Sequence, residues 1–323
     1  MEKKYVIGVD IGGTGTSFAI VDREGNLICK GNKDVIKTQA YPTPEEFTEV
    51  LCRELKNLIF GCSSKIEEIR GIGVGAPNAN YYTGTIEYSA NLPWRSVVEI
   101  RKMISDKIGI PVAITNDANA AAIGEMTYGV AKGLKHFIMI TLGTGVGSGI
   151  VIDGKMVYGH DGFAGELGHT RSGRHEGRAC GCGKVDCLET YTSAKGVARS
   201  AVKMLEIYPD VPSIMRNIPP DQLESKHVSE AAEKGEKLAV QIYEETGKIL
   251  GESFADFVTF SSPEAIVLFG GLTKAKGLLL NPIKEHMEKN LLHIFKNKVK
   301  ILVSHLDETD AAVLGASALG WEA

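Results

Sequence analysis

Short apolar runs separated by glycine-rich turns recur along the chain, which is the pattern of strands joined by tight connections. Two of these runs, residues 5–9 and 136–140, each lead into a turn of Gly, Thr and Ser and then into a second apolar run. Residues 10–22 can be laid on residues 141–153 without a gap. This internal repeat predicts two similar hairpins, each of which opens one lobe.

The rest of the chain alternates between strand and helix patterns, which favours an α/β fold. Further strands are predicted at residues 71–75, 112–115 and 266–269. Helices are predicted from Pro44 onward, at residues 116–125 behind an acidic N-cap, and at residues 310–319 behind a capping aspartate. Residues 208–225 are rich in proline and predict an irregular excursion.

Length and composition limit the class of protein. A chain of 323 residues accommodates two lobes, and 43% hydrophobic with 24% charged residues is typical of a globular protein. No apolar run is long enough to span a membrane, and no secretory signal precedes the first strand, so we expect a cytoplasmic protein without membrane partners. A formal net charge of −4 without a basic cluster argues against nucleic acid and favours a small-molecule partner.

The two glycine-rich turns are candidate phosphate-binding loops, because backbone N–H groups at glycine can approach phosphate oxygens closely. The alternative is a plain hairpin turn in each case. No Gly-Lys-Ser/Thr follows either turn, which excludes a Walker loop, and Pro77 follows residues 71–76 where a dinucleotide-binding helix should open. The candidate cofactor-binding residues of the two turns are Asp10, Gly12, Gly13, Thr14, Thr141, Gly143, Thr144 and Gly145.

One histidine and three closely spaced cysteines predict a structural zinc site. The predicted ligands are His169, Cys180, Cys182 and Cys187, a closed tetrahedral set; the alternative is a chance cluster of buried cysteines. The remaining cysteines, Cys29, Cys52 and Cys62, are scattered, so no disulfide framework is expected in a reducing compartment.

Two further segments are candidate ligand contacts. Asn116-Asp117 stands where a strand passes into a helix, a position where α/β folds bind ligands, although a plain N-cap is the alternative. A carboxylate there can accept the proton of a sugar hydroxyl. Asn91-Leu92-Pro93-Trp94 adds an amide beside an aromatic residue, which is either a ligand contact or a core tryptophan behind a turn.

Together these segments resemble the ROK family of repressors, open reading frames and kinases over nearly the whole chain. The matching motifs are residues 10–13, 75–77, 91–94, 116–117, 141–149 and 166–169, the cysteine cluster with Glu189, and residues 270–271. The resemblance implies an actin-like ATPase (ribonuclease H-like) fold of two α/β lobes with an interlobe cleft, commonly as a homodimer. The small lobe would span residues 1–117 with the last helix, residues 308–323, and the large lobe residues 118–307 with the zinc-binding loop.

The resemblance also implies roles in an ATP- and Mg²⁺-dependent hexose kinase. Asp117 would be the catalytic base for the sugar 6-hydroxyl, with Mg²⁺ near Asp10 and adenosine against Gly270 and Gly271. His169 would bind zinc through one ring nitrogen and face the sugar with the other. The implied substrate-binding residues are Ala76, Pro77, Asn91, Asn116, Asp117, Glu166, His169 and Glu189.

Glucose is the first expectation for the substrate; mannose, fructose, allose and N-acetylhexosamines stay open, as does polyphosphate in place of ATP. A sugar-responsive repressor is the rival, but the first strand begins by Tyr5 and leaves no room for a DNA-binding helix-turn-helix ahead of it. A non-catalytic sugar-binding protein is a third alternative. Two residues depart from the family pattern, since Asn78 and Asp186 stand where glycine is common, and both bear on the shape of the sugar loops.

Overall fold

The computed structural model describes residues 3–31, 36–62, 66–173, 176–307 and 310–323. The chain forms two compact units. The first unit comprises Met1–Lys135, Gly149–Gly165 and Ser304–Ala323, and the second comprises His136–Ser148 and Glu166–Val303. The last helix belongs to the first unit. The first crossing of the chain into the second unit follows Lys135, later than the boundary at residue 117 that the resemblance implies.

The described residues form twelve strands and nine α-helices. The strands are β1 (Tyr5–Ile11), β2 (Thr16–Val21), β3 (Leu27–Lys30), β4 (Ile69–Gly75), β5 (Ile86–Glu87), β6 (Val97–Val98), β7 (Val112–Thr115), β8 (Phe137–Leu142), β9 (Val146–Ile152), β10 (Lys155–Met156), β11 (Ala265–Phe269) and β12 (Lys300–Val303). The helices are α1 (Pro44–Gly61), α2 (Ile100–Ile108), α3 (Asp117–Tyr128), α4 (Glu189–Thr192), α5 (Ala194–Ile207), α6 (Ser225–Glu233), α7 (Lys237–Ser261), α8 (Gly277–Asn290) and α9 (Ala311–Gly320).

The two large sheets repeat one strand order. The first sheet runs β3-β2-β1-β4-β7 and the second runs β10-β9-β8-β11-β12. In the first, β1 is antiparallel to β2 and parallel to β4, which is parallel to β7; in the second, β11 is parallel to both β8 and β12. The hairpin repeat predicted from residues 10–22 and 141–153 is confirmed, and it extends to whole five-stranded sheets.

The core of the first unit lies between its sheet and the helices on either face. Apolar residues of β1 and β4 pack with α1 and α2 on one face, and Thr43 caps α1 by accepting a hydrogen bond from the Glu46 N–H (3.2 Å). On the other face, α9 packs so closely on β4 and α3 that only glycine fits at the points of contact. A Cβ on Gly73 would lie 1.8 Å from the Ala316 carbonyl oxygen of α9, and one on Gly124 would lie 2.7 Å from Gly315. Helix α3 thus packs on α9, which is why α3 belongs to the first unit.

The second unit has its own core, built largely from α5, α7 and α8 packed on β8 and β11. The proline-rich stretch over residues 208–225 contains two short 3₁₀ helices, Ile214–Asn217 and Pro220–Gln222, and α6 begins only at its end. The predicted irregular excursion is confirmed. Within the described residues, none of the helices combines the length and the apolar character needed to cross a membrane.

Two local expectations are wrong. Cys29 and Cys62 are paired as a disulfide with their Cα atoms 6.2 Å apart, because β3 and the end of α1, separated by 33 residues in sequence, meet in the first unit. The Asp310 side chain does not cap α9, since it instead accepts a hydrogen bond from Lys30 Nζ (2.6 Å).

Candidate active site

Three parallel strands of the first unit end side by side and carry predicted site residues at their carboxyl ends. Asp10 on β1 lies opposite Gly75 on β4, and Gly75 lies opposite Thr115 on β7. The residues that follow β4 are Ala76 and Pro77, and those that follow β7 are Asn116 and Asp117. The fold thus brings these predicted residues to one sheet edge, the position where α/β proteins bind ligands.

Two carboxyl groups at this edge are electrostatically unusual. Burial, together with the smaller effect of the nearby Asp117 carboxyl, raises the pKa of Asp10 to about 7. Desolvation also raises the pKa of Asp117, against a hydrogen bond from the Ala118 N–H to Asp117 Oδ1 (2.8 Å). Two carboxylates of raised pKa at one ligand-binding edge are a pattern typical of functional sites.

The N-cap of α3 is Asn116, so the predicted acidic N-cap is wrong. Asn116 Oδ1 accepts a hydrogen bond from the Asn119 N–H (2.7 Å), and Asp117 is the first helical residue. Asn116 uses its carbonyl as the cap, which leaves its amide N–H groups as potential donors to a ligand. The cap therefore holds Asn116 in place without occupying Asp117.

The segment after β5 is also part of this edge. Asn91 is exposed, and a Cβ on Gly13 would lie 2.8 Å from its carbonyl oxygen, so the loop of Asn91 contacts the first glycine turn. Trp94 is 3% exposed, its ring centroid lies 4.7 Å from that of Phe47 with the planes tilted by 56°, and its indole N–H donates to the Tyr41 carbonyl oxygen (3.0 Å). Trp94 is thus a core residue behind the turn, and Asn91 is the candidate ligand contact.

The second glycine turn lies at the carboxyl ends of β8 and β11. Gly143 N–H donates to the Gly145 carbonyl oxygen (3.1 Å), just as Gly12 N–H donates to that of Gly15 (3.0 Å). Thr144 is exposed at the tip, as Thr14 is in the first turn, while the Thr141 hydroxyl accepts from the Gly147 N–H (3.1 Å).

Gly270 directly follows β11 and lies beside Leu142, the last residue of β8. Its φ of 108° suits glycine alone, and a Cβ there would lie 2.6 Å from the Leu142 carbonyl oxygen. Gly271 follows as the first residue of a 3₁₀ helix, Gly271–Ala275. The Ala194 N–H at the start of α5 donates to the Gly143 carbonyl oxygen (2.8 Å). The structure thus brings together the second group of predicted cofactor-binding residues.

Glu189 lies against the second glycine turn. Its Oε2 accepts a hydrogen bond from the Val146 N–H (2.9 Å), and its Oε1 lies 3.8 Å from Cys180 Sγ. A Cβ on Gly145 would lie 2.3 Å from Glu189 Oε2, so a side chain here would displace the Glu189 carboxylate. The carboxylate therefore links the turn to the cysteine cluster.

The turn that carries Glu166 and His169 is fixed on β9. The Leu167 N–H donates to the Ser148 hydroxyl (3.0 Å), and a Cβ on Gly168 would lie 2.0 Å from the Val146 carbonyl oxygen. His169 Nε2 lies 3.9 Å from Glu166 Oε2, whereas His169 Nδ1 faces Cys180. The two ring nitrogens thus point to different surroundings.

The four predicted metal ligands converge. One ligand atom each from His169, Cys180, Cys182 and Cys187 lie within 4.8 Å of one another. Cys182 Sγ and Cys187 Sγ are 3.7 Å apart, and Cys180 Sγ and His169 Nδ1 are 3.6 Å apart. Tetrahedral zinc with Zn–S near ~2.3 Å and Zn–N near ~2.0 Å needs S–S distances of about 3.8 Å and S–N distances of about 3.6 Å. The donor set fits zinc in both chemistry and spacing.

Asn78 and Asp186, the two departures from the family pattern, have the positive backbone φ that glycine adopts most readily. Asn78 has φ 55° and Asp186 has φ 58°, and Asn and Asp are the side chains that tolerate this left-handed region best. Asn78 Nδ2 donates to the Glu87 carbonyl oxygen (3.1 Å). Asp186 accepts from the Tyr191 hydroxyl (2.6 Å), a hydrogen bond that lowers the pKa of Asp186.

Sequence reasoning missed two side chains that support the site. The buried Arg178 lies over the Tyr191 ring (4.2 Å) and donates to the Thr190 carbonyl oxygen (3.1 Å), next to Glu189. Gln39 donates to the Gly13 and Asn91 carbonyl oxygens of the first unit. Neither residue belongs to a motif or a periodic pattern, so the sequence offered no signal for them.

Comparison with known proteins agrees with this geometry. The model of the ROK family matches residues 6–322. A glucokinase of Streptomyces coelicolor is 33% identical over 320 residues, which cover 98% of this chain and 97% of that protein. A xylose repressor of Caldicellulosiruptor bescii is 29% identical, and the match covers 97% of this chain and 77% of the repressor.

A solved structure shares the fold. The ROK family glucokinase from Streptomyces griseus, in complex with glucose and AMPPNP, superposes with a TM-score of 0.80 at 31% identity and covers 99% of this chain and 100% of its own. The repeated sheets have the actin-like ATPase fold, as the resemblance implied. With a family model matched over nearly its whole length, this chain belongs to the ROK family.

Proposed function

We propose that this chain is an ATP-dependent glucose kinase that transfers the γ-phosphoryl group of ATP to the 6-hydroxyl of glucose. The observation that carries the proposal is the shared edge of β1, β4 and β7, which places Asp10, Ala76 and Asp117 together at the ends of parallel strands. Full-length similarity to proteins named glucokinase supports glucose as the sugar.

In this proposal the first unit performs the proton transfer. Asp117 takes the proton of the 6-hydroxyl as the oxygen attacks the γ-phosphorus and ADP leaves. Its raised pKa makes Asp117 a stronger base than an ordinary aspartate. Asn91, Asn116 and the Ala76-Pro77 turn orient the sugar, since positioning supplies much of the barrier reduction in phosphoryl transfer.

Each unit has one candidate phosphate-binding turn. In the first unit the backbone N–H groups of the turn with Thr14 at its tip would bind phosphate. In the second unit the turn with Thr144 at its tip would do the same, and Gly270-Gly271 would contact adenosine. Mg²⁺ near Asp10 neutralises phosphate charge when it is bound. A bound cation also favours the ionised form of Asp10, whose pKa is otherwise about 7.

The second unit supplies the remaining sugar contacts in this proposal. Glu166, His169 and Glu189 bind sugar hydroxyls, and His169 contributes Nε2 because its Nδ1 faces the metal ligands. His169, Cys180, Cys182 and Cys187 would hold a structural zinc, which would fix the loop between Glu166 and Glu189. On the resemblance to the family alone, we further propose a cytoplasmic homodimer.

A sugar-responsive repressor is the competing function, because a xylose repressor matches 97% of this chain. The kinase is favoured by the higher identity to the glucokinase of Streptomyces coelicolor, 33% against 29% for the xylose repressor. The two classes differ in a direct way: a kinase releases ADP only when sugar is present, whereas a sensor binds sugar without consuming ATP.

The test is ADP release from Mg·ATP by purified protein with glucose, mannose, fructose, allose and N-acetylglucosamine, compared with Asp117→Asn. The variant keeps the size of the side chain but removes the base, so we expect turnover to fall at least about a hundredfold. Glu45→Gln, an exposed carboxylate in the first turn of α1, is the matched control and should retain wild-type turnover. Turnover of Asp117→Asn within about threefold of wild type would refute the role of Asp117.

A further inference from the structure

Gln39 connects two loops of the candidate site through one side-chain amide. It lies in a short 3₁₀ helix, Thr38–Ala40, and its Nε2 donates to the Gly13 carbonyl oxygen (2.7 Å) and to the Asn91 carbonyl oxygen (3.0 Å). Gly13 belongs to the first glycine turn, and Asn91 belongs to the segment proposed to contact sugar. One donor group thus touches the backbone of both.

The segment that carries Gln39 is itself held at both ends. Before Gln39, the Thr38 N–H donates to the Thr14 carbonyl oxygen (3.2 Å), and the Thr38 hydroxyl lies 3.2 Å from that of Thr16 in a buried contact. After Gln39, the Tyr41 carbonyl oxygen accepts from the Trp94 indole N–H (3.0 Å). The backbone on either side is therefore fixed to the same two loops that the Gln39 amide joins.

The chemistry of the contact requires a donor between the loops. Gly13 and the Asn91 backbone approach so closely that a Cβ on Gly13 would lie 2.8 Å from the Asn91 oxygen. Both groups that face Gln39 are carbonyl oxygens, which accept hydrogen bonds and repel each other. The amide N–H₂ of glutamine has two donors and can satisfy both oxygens at once.

We propose that Gln39 is a positioning residue that sets the spacing between the phosphate-binding turn and the sugar-binding loop. The inference rests on the proposed kinase function. Gln39 acts through the backbone at Gly13 and Asn91, to which its side chain is hydrogen-bonded. Because one side chain positions both loops, its loss affects the apparent affinity for both substrates.

The discriminating variant is Gln39→Met, which keeps the length of the side chain and removes both donors. A hydrogen bond between neutral groups corresponds to about a threefold to tenfold change in an equilibrium constant. We therefore expect the KM for glucose and the KM for Mg·ATP each to rise by about threefold to tenfold. Gln39→Glu, which places an acceptor-only carboxylate against two carbonyl oxygens, should raise both values further.

The controls separate positioning from mere stabilisation. Gln222→Met makes the same exposed replacement in the second unit and should leave both KM values unchanged. A purely structural role of Gln39 would lower the melting temperature and the folded fraction, but the folded remainder would keep wild-type KM values. Should Gln39→Met fail to fold, Gln39→Asn retains an amide one methylene shorter that cannot bridge both oxygens, and the same rise in both KM values is expected.

The outcomes also distinguish this inference from the proposed function. An active wild-type enzyme whose Gln39 variants keep both KM values within twofold, or change only one of them, would overturn the role of Gln39 and leave the kinase intact. A folded wild-type protein that consumes no ATP with any of the hexoses would overturn the kinase, and the role of Gln39 with it.

Discussion

At the scale of single residues, Asp10 carries the clearest electrostatic consequence of the fold. Burial at the end of β1, with Asp117 nearby, raises the pKa of its carboxyl to about 7 from an ordinary value of 3.8. Between these two values the folded protein binds more protons than the unfolded chain, so stability falls as pH rises through this range. Ionisation of the Asp10 carboxyl, which would favour Mg²⁺ binding, thus destabilises the metal-free protein at neutral pH.

Asp10→Asn should consequently stabilise the metal-free protein. The gain should be absent near pH 4, grow as pH rises toward about 7, and level off above it at roughly 2–4 kcal/mol. Thermal unfolding between pH 4.5 and 8, without Mg²⁺ or nucleotide, measures the effect. The exposed Asp210→Asn is the control and should show no such trend. A stability difference for Asp10→Asn that does not change with pH would contradict the account.

At the scale of elements, the loop that carries Cys180, Cys182 and Cys187 is linked to the second glycine turn through Glu189. The loop ends at Cys187, helix α4 begins at Glu189, and the Glu189 carboxylate accepts from the Val146 N–H at 2.9 Å. Arg178 reinforces the same region through the Thr190 carbonyl oxygen. The position of the turn is thus coupled to that of this loop.

We predict about one zinc per chain by elemental analysis, and Cys187→Ala should lose most of it. Because a structural metal contributes directly to folding free energy, the variant should also melt at a lower temperature than wild type. Cys52→Ala removes another buried free thiol, in the first unit, and should keep the zinc while losing only packing energy. Full zinc content in Cys187→Ala would show that this cysteine is not a ligand.

The sequence predicted elements well where periodicity or turn chemistry was strong. The strands β1, β4, β7 and β8 and the helix from Pro44 begin within two residues of their predicted starts. Helix caps were harder, because Asn116 and Asp117 are adjacent and both are good caps, so only the backbone geometry shows which one accepts the Asn119 N–H. The Cys29–Cys62 pairing was missed because it depends on tertiary contact between distant elements.

At the scale of the whole molecule, the repeat found in two short segments proved to be a repeat of entire sheets. The orders β3-β2-β1-β4-β7 and β10-β9-β8-β11-β12 place a glycine turn after the central strand of each sheet. The repeat is visible in the sequence at the hairpins, because close backbone approach within a glycine turn restricts residue type, whereas strand order restricts only hydrophobicity. The candidate site was predictable at such turns and at the cysteines, and unpredictable at Gln39, whose partners are 26 and 52 residues away.

The most direct test of the central claim is to identify the product by nuclear magnetic resonance after incubation of the purified chain with Mg·ATP and glucose labelled at carbon 6. The account predicts phosphate on the oxygen of carbon 6, one ADP per sugar phosphorylated, and at most about one hundredth of that rate with Asp117→Asn. Phosphate on another hydroxyl, or ADP released at the same rate without sugar, would contradict it.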